Sequence, residues 1–234
     1  MAGFYYEING YVYDKYSNEI ILKLLSHFNI KKGIAEIYEV EETQVNYEMI
    51  EEYADEWFEV PFNSLSMCNL ENHYFKEIKF NYHIFDKEVP FRLLITMHED
   101  LTFSITMMFD YTENVEYETD IVKLKRKNEE IEKLVYNFYS SGLYLYGTYG
   151  VAIFPVSLIS IKFEDESICM YGDGNYFSHQ IINKDRIVEL QKIGSIKFNI
   201  LENGYLVLKD DMDIRYEIYE EWVGKIVNNL RNSV

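Results

Sequence analysis

The chain has 234 residues, 48% of them apolar, and a formal net charge of −18. That apolar share excludes disorder and allows a sizeable core. The charge speaks against direct contact with nucleic acid or an anionic lipid surface, and it favours fast encounter with basic proteins. Only 3 Pro occur, so no proline-rich linker divides the chain, whereas Tyr (22) and Phe (15) are plentiful. Cys68 and Cys169 stand far apart in no metal-ligand spacing and read as thiols of a reducing compartment. The opening residues MAGFYYEINGYVYDK lack the basic and apolar regions of a leader, and no apolar segment is long enough to span a membrane. The expectation is a cytoplasmic protein without metal or cofactor.

In chain order, Phe4 to Tyr13 alternates aromatic and polar positions around Asn9-Gly10, which predicts a tight hairpin. A helix is expected over Asn18 to Phe28 with Ser17 as its cap, then a strand over Ile34 to Val40. An acidic helix is expected over 46–59, closed by Pro61, and an irregular connection over 62–72. Three strands follow as an antiparallel meander: Phe75 to Phe85, Phe91 to Met97 and Leu101 to Phe109. Thr119 or Asp120 caps the longest helix, 119–141, which Gly142 ends. Its middle carries Lys123, Lys125, Arg126, Lys127 and Lys133 and is the most basic part of the chain.

Strands are then expected over Leu143 to Pro155, Leu158 to Phe163, Ser167 to Tyr171 and Tyr176 to Ile182, with a turn at 172–175. Asn183 caps a short helix to Ile193, Ile196 to Leu201 and Tyr205 to Leu208 form a hairpin, and Asp213 to Arg231 is a closing amphipathic helix. The expected class is therefore α+β, with mainly antiparallel sheets of meanders and hairpins and four to five helices packed on them. Hairpin, acidic connection and helix recur in an N-terminal half, 1–115, and a C-terminal half, 116–234. One continuous domain is the other option.

The acidic helix is the least neutral stretch. No Lys or Arg lies between Lys32 and Lys76, and Glu39, Glu41, Glu42, Glu48, Glu51, Glu52, Asp55, Glu56 and Glu59 do. As a helix it would set like charges at i,i+4 at 48/52, 51/55, 52/56 and 55/59, at a cost of about 1–2 kcal/mol in sum. Like charges held at such a cost point to a positively charged partner, and these nine carboxylates are the candidate contacts.

Recognisable catalytic chemistry is missing. His98-Glu99-Asp100 reads as a solvated turn, and His73 and His83 have no ligand spacing. Gly147 to Gly150 and Gly172 to Gly174 fit neither a phosphate cradle nor a calcium loop. The leading expectation is an immunity or inhibitor protein, not an enzyme, that occupies the basic cleft of a toxin or nuclease. The alternative is a structural or adaptor domain with a tyrosine-rich surface drawn from Tyr5, Tyr6, Tyr11, Tyr13, Tyr16, Tyr136, Tyr139, Tyr144, Tyr146 and Tyr149. A carboxylate-based enzyme is the third.

Overall fold

The computed structural model describes residues 4–12, 14–39, 57–63, 73–97, 102–151, 173–182, 185 and 196–209. In chain order these form β1 (Tyr5–Val12), α1 (Asn18–His27), β2 (Lys32–Glu39), β3 (Phe58–Asn63), β4 (His73–Ile84), β5 (Lys87–Met97) and β6 (Phe103–Asp110). A π-helical turn (Thr112–Glu116), α2 (Ile121–Ser140), β7 (Tyr146–Val151), β8 (Gly174–Ser178), β9 (Ile196–Ile200) and β10 (Gly204–Lys209) follow. All ten strands belong to one sheet in the order β3-β2-β4-β5-β6-β1-β7-β8-β10-β9, and every neighbouring pair is antiparallel.

This corrects the expected architecture. The fold is one ten-stranded sheet, and α1, α2 and the π turn are its helical segments among the described residues. The physical reason is that the locally paired strands do not remain separate: β1 pairs with β6 and β7 far along the chain and merges them into one sheet. β1 is the clearest case: Asn9-Gly10 does not turn but runs through a central strand, with β6 on one side and β7 on the other. The end of the expected acidic helix is also overturned. Phe58 and Glu59 belong to β3, where Phe58, Val60 and Phe62 alternate toward the helix side against β2. Pro61 lies inside this strand at the edge of the described sheet, a position where proline is tolerated because an outward-facing missing amide breaks no ladder bond. Gly174 and Asn175, expected in a turn, lie in β8. The expected helices at 183–193 and 213–231, the strands at 158–163 and 167–171, the turn at 98–100 and both cysteines lie outside the described residues.

Several local expectations hold. Ser17 caps α1, its Oγ accepting from the Glu19 amide at 3.2 Å. Asp120 caps α2 by accepting from the amides of Val122 and Lys123, and Gly142 follows its end with φ +73°. The β4–β5–β6 meander and the β9–β10 hairpin pair as the alternation implies. Both helices lie on one side of the sheet: Phe28 of the α1 cap packs against Phe138 of α2, and His27 Nε2 meets the Asn137 carbonyl at 2.8 Å.

The core gathers Ile21, Leu24 and Leu25 of α1, Ile131, Leu134, Val135 and Phe138 of α2, and the helix-facing side chains of β1 to β8 and β10. Its centre is a trough made by two paired glycines, Gly10 and Gly147. A Cβ on Gly10 would stand 2.2 Å from the Tyr144 ring, and one on Gly147 would stand 2.5 Å from both the Tyr139 hydroxyl and the Asn9 carbonyl. The trough thus exists to admit two tyrosines. The Tyr139 hydroxyl reaches the Asn9 carbonyl at 2.8 Å and the Thr148 carbonyl at 3.1 Å, and its ring stacks on Tyr176 at 4.6 Å. A methyl group here meets backbone as well as ring. Gly147→Ala is expected to lower the free energy of unfolding by about 1–3 kcal/mol in chemical denaturation, while an alanine at exposed Asn128 in α2 leaves it unchanged.

Candidate functional site

The side of the sheet away from the helices carries the charge. There Glu59 of β3, Glu36 of β2 and Glu77 of β4 face one another across three adjacent strands. Directly opposed like charges are unfavourable in a sheet, and two cations relieve them. Lys79, two residues along β4 from Glu77, pairs with Glu36, with Glu59 at 3.1 Å and with Glu77 at 3.7 Å. Arg92 stands opposite Lys79 on β5, and its Nε pairs with Glu77. Hydrogen bonding to Glu36, then to Glu59, pushes the Lys79 ammonium well above the usual lysine range, and Glu77 does the same for Arg92.

Glu36 and Glu77 are 5% and 3% exposed, so their charges are held inside the ladder, whereas Glu59 faces solvent. Trp57 and Phe58, both exposed, begin the same edge, and the Lys76 ammonium lies 4.8 Å from the centre of the Trp57 ring. Lys76 is the extra residue where the β2–β4 register shifts, between the Glu36–Glu77 and Ile37–Phe75 pairs. The three carboxylates converge on an ammonium, and among the described residues no group of His, Cys, Asp or Glu is arranged to hold a metal ion.

Of the nine carboxylates expected to contact a partner, Glu59 is in this ladder and Glu39 ends β2 opposite His73. Glu41, Glu42, Glu48, Glu51, Glu52, Asp55 and Glu56 lie outside the described residues. What the structure adds is where their stretch is anchored. The chain leaves the sheet at the end of β2 and returns at the start of β3, and these strands pair at the sheet edge with Ile37 opposite Phe58. The acidic run is therefore the connection of one edge hairpin, with Glu39 and Glu59 at its two feet. Sequence reasoning missed Glu77, Lys79 and Arg92 as partners of this stretch. The one available signal was the charged alternation Glu77, Lys79 on a single strand face.

Most of the tyrosines considered as a binding surface are internal. Tyr6, Tyr11, Tyr139, Tyr144, Tyr146 and Tyr149 are buried, while Tyr5 and Tyr136 are exposed. Among the described residues no helix is long and apolar enough to cross a membrane. On the charged side of β1, Glu7 lies between Met108 of β6 and Gly150 of β7, and burial pushes its carboxyl up to about 7. No family model, curated protein or solved structure matches the chain.

Two outcomes follow from this charge geometry. Glu77→Gln leaves Arg92 without its carboxylate and is expected to cost about 1–3 kcal/mol in chemical denaturation, whereas exposed Glu59→Gln costs at most about 1 kcal/mol. For Glu7 the folded state holds its proton more tightly than the unfolded chain. Its contribution is therefore present at acid pH and is lost as pH rises from the ordinary carboxyl range through about 7. The stability of Glu7→Gln relative to the parent should rise across that window, measured as the difference between their denaturation midpoints at each pH.

Proposed function

We propose that the chain is a cytoplasmic binding protein of the inhibitor or immunity type, which neutralises a basic toxin or nuclease by covering its positively charged cleft. The observation that carries this reading is the acidic connection between β2 and β3. Its sequence carries Glu41, Glu42, Glu48, Glu51, Glu52, Asp55 and Glu56 with no Lys or Arg among them, and it joins Glu39 to Glu59 on two strands paired at the edge of the described sheet. A cleft that handles nucleic acid is lined with Lys and Arg, and a concentrated run of carboxylates competes for the phosphate positions. Steering by opposite charge speeds the encounter, and exposed Trp57 and Phe58 beside the run offer the aromatic anchors on which slow release depends.

The two other readings have less to draw on. An adaptor with a tyrosine surface would have to work without the six tyrosines committed to the core. An enzyme built on carboxylates would have to free Glu36, Glu59 and Glu77 from Lys79 and Arg92.

The test is affinity capture with the tagged chain as bait, at low and moderate salt, against host lysate and the products of neighbouring genes. The parent should retain a basic protein at low salt and release it as salt rises. A variant with Gln or Asn at Glu41, Glu42, Glu48, Glu51, Glu52, Asp55, Glu56 and Glu59 should bind that protein about tenfold or more weakly. Retention of the same protein by that variant at undiminished strength would sink the reading.

A further inference from the structure

A second surface has the opposite character. The first ten residues of α2 differ from the rest of the helix: from Ile131 onward a stripe is buried, but over 121–130 only Leu124, Lys127 and Glu130 are even half-buried. Three large apolar side chains are left open to water around the helix start, Tyr117 at 67%, Ile121 at 81% and Val122 at 78% exposed. Scattered exposed apolar residues are ordinary, but three within six residues form a patch that a partner can cover. Val122 stands one turn before Arg126, and Ile121 one turn before Lys125, so apolar and basic side chains share the same outward strip.

Beside this strip lies a cavity of about 350 Å³ lined by Phe85, Asp86, Lys87, Glu118, Lys123, Arg126, Lys127 and Glu130. The wall opposite α2 is the two-residue β4–β5 turn, in which Phe85 and Asp86 have φ of +58° and +56°. A bulky residue seldom takes that conformation. It is held there by the Phe85 amide donating to Glu130 Oε2 at 2.6 Å and by the Phe85 ring against Phe109. The cavity wall is thus braced from α2 itself.

Within the cavity Arg126 bridges Asp86 at 2.8 Å and Glu130 at 3.3 Å, and Lys127 bonds Glu118 at 3.0 Å, holding that carboxyl below its usual range. Among the described residues, Lys87 and Lys123 have no carboxylate within ion-pair distance. No acid occurs from Ile121 to Asn128, in a chain of net charge −18.

The acidic corner does not cancel this patch. The acidic run leaves the sheet level with His73, the start of β4, and the cavity sits beyond Ile84, its end. At about 3.3 Å per residue a strand of this length spans roughly 35–40 Å. Charges interact over about 8 Å at physiological salt. The two feet of the acidic run therefore lie outside screening range of the patch, whose own acids, Asp86, Glu118 and Glu130, are paired with Arg126 and Lys127 and leave Lys87 and Lys123 as a local excess of positive charge.

We infer that the start of α2 and the β4–β5 turn form a docking site for a short acidic peptide segment of a partner protein. Its carboxylates meet Lys87 and Lys123 in the cavity, and an aliphatic or aromatic side chain of the same segment covers Ile121 and Val122. Charge complementarity selects the acid, and the exposed apolar strip selects a peptide. A long phosphodiester chain or an anionic bilayer would extend past the patch and meet the repulsion of the rest of the molecule. A short segment meets the patch alone.

The experiment is fluorescence anisotropy with the full chain and labelled nine-residue peptides, each carrying four Glu and a single Leu or Phe. Saturable binding is expected, weaker by at least about fivefold when the Leu or Phe is replaced by Ser. Val122→Ser and Lys123→Glu should each weaken it to a similar degree, with unchanged thermal unfolding because both positions are exposed. Lys23→Glu on α1 should leave it as it was. Absence of saturable binding, binding indifferent to both α2 substitutions, or tighter binding to a single-stranded oligonucleotide or to phosphatidylserine vesicles would each overturn the assignment.

Discussion

The position of Tyr139 against the two facing glycines is the constraint on which the remaining architecture depends. Its hydroxyl reaches carbonyls on both β1 and β7, so one side chain from the end of α2 fixes the helix to two strands at once. Those strands are the joint of the sheet: everything from β3 to β6 attaches through β1, and everything from β8 to β9 attaches through β7. The same device continues outward, since Tyr149 closes over Gly174 and Tyr176 over Gly204. Glycine weakens a strand by leaving it without a side chain to pack, and an aromatic ring laid across the gap restores the contact. This accounts for Tyr139, Tyr144, Tyr149 and Tyr176 without any role in recognition.

Charge is organised on the other face by the same rule of register. A single row of paired positions crosses all ten strands, from Glu59, Glu36 and Glu77 through Leu94, Thr106, Asn9, Thr148 and Asn175 to Val207 and Phe198. The row passes from ionised at one edge, through neutral polar groups at the centre, to apolar at the other. At its centre, Asn9 Nδ2 donates to Thr106 Oγ1 at 2.8 Å, and on β8 Asn175 Nδ2 donates to the Tyr146 hydroxyl at 2.8 Å. The acids sit at the end of the row where Lys79 and Arg92 reach them, and that pairing offsets the desolvation of buried Glu36 and Glu77.

How far the sequence discloses this depends on the range of each signal. α1 and α2 are legible because their caps, Ser17 and Asp120, act within three residues. The β4–β5–β6 meander is legible because its strands follow directly. Asn9-Gly10 misleads because the same dipeptide suits a tight turn and a close approach, and the residue that decides between them is Tyr144. The carboxylate ladder draws on residues 36, 59, 77, 79 and 92 of four strands, and no local pattern joins them. Phe58 and Glu59 fit a helical period and a strand period equally, and pairing with β2 chooses the strand. The acidic run was visible as composition, whereas its anchoring in one edge hairpin required the sheet.

The central place of β1 also has a consequence in time. Residues 5–12 are synthesised well before their two neighbours in the sheet, residues 103–110 and 146–151. With synthesis at roughly 5–20 residues per second, β1 waits several seconds or more with both edges unpaired. Closing such distant pairs makes folding slow compared with a helical protein of equal stability. The nascent chain is therefore most exposed to wrong pairing just before β6 and β7 emerge, and a chaperone that shields Tyr5 to Val12 over that interval would protect the strand that later joins the sheet into one piece.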